Sequence, residues 1–194
     1  YVELKSKPQL EVLSDTAPLR ELMSELMTMQ NPVTKIEPEI AARLAKQSYH
    51  LVGEHGGVKV CHWTKQSLVA DRSCYKGTFY GIESHGCMQM APNVDTCNLA
   101  CTYCWREPHS DTLTKIDDDP YELFLQSVKA HRRLLTGFGG HPSVPREKWL
   151  DAQDPKHVAI SLNGEPTLYS RLAEFLDICH QHGVSTFLVT NGSL

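Results

Sequence analysis

Six of the seven cysteines in this chain of 194 residues fall within 44 consecutive positions, and this clustering limits what the chain can fold into. The six are at positions 61, 74, 87, 97, 101 and 104, and Cys179 lies apart from them. No basic stretch followed by an apolar one marks a secretory signal at the N-terminus. An odd number of cysteines without such a signal favours metal or redox chemistry over a disulfide framework, and a cytoplasmic location is the default expectation.

The last three clustered cysteines, Cys97, Cys101 and Cys104, have the spacing C-x3-C-x2-C. Three thiolates on so tight a loop can bind three irons of a [4Fe–4S] cluster and leave the fourth iron open. S-adenosylmethionine (SAM) can chelate that iron, and an electron from the cluster can then break its sulfonium bond. Tyr103 precedes the last cysteine and can shelter the adenine ring. The alternative is zinc, but structural zinc sites commonly use two CxxC pairs and four protein ligands.

The C-terminal third of the chain predicts a β-α-β unit. Short apolar strands are expected over 158–162 and 185–190, and the helix between them has one apolar face made by Leu168, Leu172, Phe175, Leu176 and Cys179. Strands buried on both faces and joined by a helix are typical of parallel α/β architecture. The expected fold class is therefore α/β.

Two polar turns follow these strands. Asn-Gly164-Glu165-Pro comes after the first and resembles the GGE-type segment with which radical SAM enzymes hold the SAM ammonium, and Thr190-Asn191-Gly ends the second. Because barrel sites lie at the carboxyl ends of the strands, we expect Gly164, Glu165, Thr190 and Asn191 to contribute to SAM binding.

Other elements follow from periodicity and from turn residues. Amphipathic helices are predicted over 17–30, 38–50 and 120–136, a glycine- and proline-containing loop over 137–147, and short strands over 58–62 and 79–82.

Cys61, Cys74 and Cys87 form a second trio, with two intervals of 13 residues. Spacing alone leaves two interpretations open. Free cysteines are commonly buried as small apolar residues, and three thiolates can equally bind a second [4Fe–4S] cluster with one open iron.

The residues around both trios favour the second interpretation. The run Cys61-His-Trp-Thr-Lys, the run Cys74-Tyr-Lys-Gly-Thr-Phe-Tyr-Gly-Ile-Glu-Ser-His-Gly-Cys87-Met-Gln-Met-Ala-Pro, and Cys97 to Cys104 with the following Trp-Arg resemble the 4-demethylwyosine synthases. These are radical SAM enzymes of wyosine and wybutosine biosynthesis. The resemblance covers roughly residues 40–194, and both trios, their offset and the flanking aromatics match. Residues 1–35 do not contribute and are too short for the flavodoxin-like domain of eukaryotic members, which favours the stand-alone archaeal type.

The resemblance implies two [4Fe–4S] clusters, the SAM-binding one on Cys97, Cys101 and Cys104 and the second on the other trio. It also implies condensation of N1-methylguanosine, 3′ of the anticodon in phenylalanine tRNA, with pyruvate. A deoxyadenosyl radical takes a hydrogen from the N1-methyl group, the carbon radical attacks C2 of pyruvate, C1 is lost, and a third ring closes. An electron donor such as a flavodoxin or ferredoxin is implied.

Lys76 stands two residues after Cys74, where the family has a lysine proposed to form a Schiff base with pyruvate. A plain surface lysine and a phosphate contact are the alternatives, and the open iron of the second cluster competes for pyruvate. Two other functions stay open: a radical SAM enzyme for a peptide or small metabolite, which needs no second trio, and a non-catalytic zinc-binding RNA module.

Charge and aromatic residues bear on the RNA partner. The net charge is −4, so the chain as a whole is no polycation, but residues 43–76 carry six basic residues against two acidic ones. Such a segment can bind phosphates or can be a solvated surface. Trp63, Tyr80 and Trp105 can stack on a base taken out of the anticodon loop or can belong to the core. No apolar run approaches the 18 residues of a membrane span, so no membrane partner is expected.

Three segments are therefore expected. Residues 1–52 form a helical extension, 53–96 carry the second cluster, and 97–194 form the first part of a partial (β/α)6 TIM-like radical SAM barrel. The chain starts at Tyr1 and ends just after a strand-like run, which favours an N-terminal fragment.

Overall fold

The computed structural model describes residues 33–104 and 115–194. The predicted helix over 17–30 and the candidate stacking residue Trp105 lie outside the described residues.

One five-stranded mixed sheet organises the described chain. Its strands lie side by side in chain order: β1 (His50–Val52), β2 (Gly56–Lys59), β3 (Cys87–Ala91), β4 (His157–Ile160) and β5 (Ser185–Leu188). The pairs β1–β2 and β2–β3 are antiparallel, and β3–β4 and β4–β5 are parallel. The predicted α/β class is confirmed. The sheet crosses both predicted segment boundaries, and the division into three segments and the barrel itself stay predictions.

Six α-helices accompany the described part of this sheet: α1 (Pro38–Lys46), α2 (His62–Ala70), α3 (Tyr75–Tyr80), α4 (Pro120–Leu135), α5 (Arg146–Ala152) and α6 (Leu172–Gln181). The predicted helix over 120–136 is α4. It begins with Pro120 in the first turn and Asp119 as its N-cap, whose carboxylate accepts bonds from the backbone of Tyr121 and Glu122 at 3.0 Å each. Within the described ranges, every helix is too short or too polar to cross a bilayer.

The two faces of the sheet differ in chemistry because side chains alternate along each strand. On one face, apolar residues of the strands pack against α4 and α6 in the main core, which includes Met88, Met90, Val158, Ile160, Leu123, Phe124 and Phe175. On the other face lie Cys87, Gln89 and Ser161, which line a cavity. The site is therefore built on the face that α4 and α6 leave open.

Two predicted strands differ from the structure. The strand expected over 58–62 is β2, which ends at Lys59, and α2 begins at His62. The prediction of a strand over 79–82 was wrong, because Phe79 and Tyr80 belong to the last turn of α3. Gly81, at φ +70°, ends that helix in the left-handed region that glycine adopts without strain.

Other element bounds also shifted. The helix expected over 38–50 ends at Lys46, after which Ser48 adopts a left-handed conformation at φ 65°. Strand β3 and helix α5 were not predicted, since the first lies within the cysteine-bearing segment and the second begins inside the expected loop over 137–147. The β-α-β unit is confirmed as β4, α6 and β5, with shorter strands than expected.

Candidate functional site

The loops that follow the three parallel strands meet at one edge of the sheet. The segment after β3 carries the C-x3-C-x2-C cysteines, the segment after β4 carries residues 161–166, and the segment after β5 carries residues 189–193. Carboxyl ends of parallel strands point to the same edge, so loops that are distant in sequence become neighbours.

All eight residues expected at the SAM site line one pocket of about 350 Å³. They are Cys97, Cys101, Cys104, Tyr103, Gly164, Glu165, Thr190 and Asn191. Asn163, which the sequence did not single out, also lines this pocket, and its side chain accepts a hydrogen bond from the Tyr49 hydroxyl at 2.9 Å. Tyr103 is 84% exposed and stands at the open side of the pocket, where a ring is free to pack on a ligand.

Glu165 ties two of the loops together. Its carboxylate accepts bonds from the Thr190 hydroxyl at 2.6 Å and the Asn191 backbone at 2.8 Å, and it also accepts bonds from the backbone and hydroxyl of Thr167. Burial favours a higher pKa for Glu165, but these hydrogen bonds prevail and lower it. The side chain is 2% exposed, so the ionised carboxylate chiefly joins the β4 and β5 loops and sets the shape of the pocket.

The second trio lines another pocket, of about 150 Å³, together with Lys76. Cys61 is the N-cap residue of α2, and Cys74 is the N-cap residue of α3. The predicted strand over 58–62 included Cys61, so the sequence did not indicate that this cysteine begins a helix. Helix N-termini favour nearby negative charge.

The thiols of this pocket differ in acidity. Burial opposes ionisation of Cys74, but bonds from the Ser84 hydroxyl and from the backbone of Gly77 and Lys76 lower the pKa of Cys74 overall. Burial raises the pKa of Cys87 to about 11, although Lys76 opposes this. Deprotonation of Cys87 therefore needs the compensation that a bound metal supplies.

Lys76 lies between a thiol and an aromatic ring. Its Nζ is 4.0 Å from Cys87 Sγ and 5.1 Å from the centre of the Phe187 ring. Gln89 and Ser161 also line the pocket, and the Gln89 amide donates to the Ser161 hydroxyl at 3.1 Å. Sequence reasoning missed Gln89, Ser161 and Phe187. If β3 had been predicted, Gln89 would have been expected in the pocket, because it is two residues from Cys87 on the same face of that strand.

The donor sets fit iron–sulfur clusters. Each pocket is lined by three cysteines, and the seventh, Cys179, is fully buried in the core on α6. Three thiols per pocket match a [4Fe–4S] cluster with one iron left for a small molecule, whereas a structural zinc ion would want a fourth protein ligand. The pockets are neighbours at the end of β4, where Ser161 lines one and Leu162 and Asn163 line the other.

A polar cluster beside the second pocket needs no metal. Glu83, His85 and Asp151 come close enough to share an ion. The Lys156 ammonium already bonds Glu83 at 2.7 Å and Asp151 at 2.9 Å, and His85 bonds Asp151 at 2.7 Å. The Lys156 ammonium therefore already supplies a positive charge to both carboxylates.

Aromatic side chains lie at or near the second pocket, and basic side chains are exposed on the same segment of the chain. Trp63 lines the pocket and is 40% exposed, and Tyr80 packs at 5.9 Å from Phe187 and is 65% exposed. Lys65 and Arg72, from the basic stretch, are exposed on and just after α2. Lys59 instead lies over the Tyr49 ring at 4.7 Å.

Known proteins resemble the chain in sequence. It is 45% identical over 159 residues to the SAM-dependent tRNA 4-demethylwyosine synthase of Pyrococcus abyssi. These residues cover 80% of this chain and 46% of that protein. The enzyme of the same name from Methanocaldococcus jannaschii is 40% identical over 82% of this chain and 53% of its own length. The mouse enzyme, TYW1, is 40% identical over 80% of this chain and 22% of its length. No family model matches.

Solved structures resemble the fold. A structure of TYW1 with a lysine–pyruvate adduct bound superposes with a TM-score of 0.73 at 40% identity, covering 82% of this chain and 53% of that one. A crystal structure of archaeal TYW1 gives a TM-score of 0.68 at 39% identity over 81% of this chain and 53% of that one. The chain spans about half the length of the archaeal relatives that it matches. Agreement in sequence and in fold shows that the chain belongs to the family of tRNA 4-demethylwyosine synthases.

Proposed function

We propose that the protein to which this chain belongs is a radical SAM carbon–carbon lyase of tRNA modification. It condenses N1-methylguanosine in the anticodon loop of phenylalanine tRNA with pyruvate to form 4-demethylwyosine. The observation that carries the proposal is a pair of neighbouring pockets, one at the carboxyl edge of the parallel strands and one on the open face of the sheet, each lined by three cysteines, with Lys76 in the second.

The first pocket suits SAM. When a [4Fe–4S] cluster and SAM are bound there, they supply a radical that can abstract hydrogen from an unreactive methyl group. The residues of the chain hold and shield this cofactor: Cys97, Cys101 and Cys104 provide the thiolates, and Glu165 fixes the loops of Thr190 and Asn191 around the pocket. The names of the relatives, which state SAM dependence, support this assignment.

The second pocket suits a small 2-oxo acid. In its neutral form the Lys76 amine can attack the C2 carbonyl of pyruvate and, with loss of water, form an imine. The Phe187 ring and the Cys87 thiol limit where that amine can lie. The TYW1 structure with a lysine–pyruvate adduct supports this chemistry. A cluster on Cys61, Cys74 and Cys87 offers an open iron as a competing place for pyruvate.

The tRNA base reaches these pockets from outside. A base in a folded loop must be taken out of its stack before chemistry on its methyl group, and exposed aromatic and basic side chains assist this. Trp63 and Tyr80 provide rings near the second pocket, and Lys65 and Arg72 provide positive charge. The proposal further includes a flavodoxin or ferredoxin as electron donor, a cytoplasmic location, a partial (β/α)6 barrel, and the division at residues 52 and 96.

The test is a product assay with the full-length protein. The protein is reconstituted anaerobically and incubated with SAM, pyruvate, a reductant and methylguanosine-bearing phenylalanine tRNA, and the nucleosides are analysed by mass. The proposal expects the tricyclic nucleoside, and expects none when pyruvate or the N1-methyl group is omitted. If SAM is cleaved but the tRNA is not modified, the result favours a radical SAM enzyme that acts on a peptide or small metabolite. Bound zinc without a visible iron–sulfur absorption favours the RNA-binding module.

A further inference from the structure

The four residues before Cys97 are buried although three of them are polar. Asn93 and Thr96 are 0% exposed and Asp95 is 4% exposed, with Val94 between them. Buried polar groups cost free energy unless they are hydrogen-bonded, so such a segment persists only where its bonds fix a conformation. Segment 93–96 leads directly into the first cysteine of the SAM pocket.

Asn93 joins this segment to the loop after β4. Its amide nitrogen donates to the carbonyl of Thr96 at 2.9 Å and to the carbonyl of Glu165 at 2.9 Å. The Glu165 backbone N–H donates to the same Thr96 carbonyl at 3.1 Å. One side chain therefore bonds both the residue before Cys97 and the residue that ties the SAM pocket together.

The backbone around Gly164 also shows that the two loops approach closely. Gly164 adopts φ +74°, and a Cβ there would overlap the carbonyl oxygen of Asn93 and lie 2.6 Å from that of Thr96. The amide oxygen of Asn93 is buried without a hydrogen-bond partner among the described residues. The chain thus tolerates one unsatisfied acceptor in order to place both amide hydrogens on the two carbonyls.

The opposite side of the segment is held as well. The Asp95 carboxylate bonds His55 Nδ1 at 2.9 Å, and the Val94 N–H donates to the His55 carbonyl at 2.8 Å. Both His55 and Asp95 are buried. The segment is therefore held by hydrogen bonds between the β1–β2 turn and the loop after β4.

We propose that Asn93 is a positioning residue for SAM: it sets the distance between Cys97, hence the cluster, and the Gly164–Glu165 loop that faces the same pocket. The inference rests on the SAM part of the proposed function, and its readouts need neither tRNA nor pyruvate. A displacement of about 1 Å between a cofactor and its contacts can cost about 100-fold in reactivity, so a residue that fixes this distance affects function strongly.

The test compares Asn93→Ser with Ser127→Ala in the full-length, reconstituted protein. Ser127 is equally buried, and its hydroxyl bonds the Leu123 carbonyl at 2.7 Å within α4, away from both pockets. Both variants lose buried hydrogen bonding and are expected to melt at lower temperature. We expect only Asn93→Ser to weaken SAM binding by about tenfold or more and to alter the change that SAM causes in the electron paramagnetic resonance of the reduced cluster.

Equal SAM affinity and an equal spectrum in Asn93→Ser and the wild type would overturn the inference and leave Asn93 a residue of the core. A wild-type protein that fails to bind SAM would instead overturn the proposed function. Hydrogen exchange of the wild-type protein keeps the inference testable if Asn93→Ser does not fold. The Val94 and Glu165 amides should exchange as slowly as those of β3. Exchange as fast as that of the exposed residues 139–140 would show that segment 93–96 is not held in one conformation.

Discussion

Lys76 shows at the residue scale how a local environment restricts a reactive group. The family resemblance singled it out, and the structure places its Nζ beside Cys87 and Phe187 in one pocket with the second trio. Sequence could indicate the residue but not the ring beside it, because Phe187 lies 111 positions away on β5. Neighbours of that kind depend on strand register.

Replacing Lys76 separates covalent binding of pyruvate from simple charge. Lys76→Ala and Lys76→Arg should both reduce product formation by about 100-fold or more, since neither side chain can form an imine. SAM cleavage should persist in both, because the SAM pocket does not include this residue. The measurements are product mass, deoxyadenosine release, and borohydride trapping of labelled pyruvate. Activity of Lys76→Arg near the wild-type level would assign Lys76 an electrostatic role.

Gly164 provides a residue-scale test of how tightly the loops are packed. Gly164→Ala should destabilise the protein by about 3 kcal/mol, because a left-handed φ and an overlap with the Asn93 carbonyl act together. Gly183→Ala is the matched control: its φ is +70°, nothing lies within 4 Å of the added methyl, and the cost should be about 1 kcal/mol. Urea unfolding measures both, and equal costs would show that the loops have room to separate.

At the scale of elements, predictions held where one strong periodic pattern determined the outcome. Helix α4 has a nearly continuous apolar face and a proline and aspartate at its start, and its bounds agree with those predicted from the sequence to within one residue. Two of the three consecutive aspartates at 117–119 have structural contacts there, because Asp119 caps α4 and the Asp118 carboxylate accepts a bond from the Glu54 backbone. Short elements were harder. Helix α3 has six residues, and its aromatics fit a strand equally well.

Helices α4 and α5 are joined by a buried histidine, and this gives a pH prediction. His131 is fully buried on α4 and bonds the Ala152 carbonyl at the end of α5 at 3.1 Å. Burial lowers the pKa of His131 to about 4. Between about pH 6.5 and 4 the unfolded chain binds a proton that the native protein does not, so acidification favours unfolding.

His131 should therefore contribute a loss of stability on the order of 3 kcal/mol between pH 7 and 4. His131→Gln has a side chain that does not titrate and should flatten that part of the profile. The measurement is the free energy of unfolding by urea across this pH range. If the two profiles run parallel, His131 is not the group that titrates.

At the scale of the whole molecule, the sequence indicated the site better than the architecture around it. The first trio and the two polar turns were predicted from ligand spacing and from their place at strand ends, whereas the second trio and Lys76 were predicted from the family resemblance. The structure gathers these residues in two pockets, and their roles stay predictions. The antiparallel β1–β2 pair next to the parallel strands could not be predicted, since β1 has three residues and β3 lies within the cysteine-bearing segment. Asn93 carries no pattern at all, because its function depends on two backbone carbonyls, one of them 72 residues away.

The proposed function requires two separate clusters, and a count of the irons is its sharpest test. Full-length protein is prepared without air, and iron, sulfide and zinc are measured in the wild type and in the combined Cys61→Ala, Cys74→Ala, Cys87→Ala variant, with Cys179→Ala as the control. We expect about eight irons per chain in the wild type and the control, and about four in the triple variant. The electron paramagnetic resonance signal of the triple variant should still change when SAM is added. About four irons in every sample, or zinc at either trio, would contradict the account.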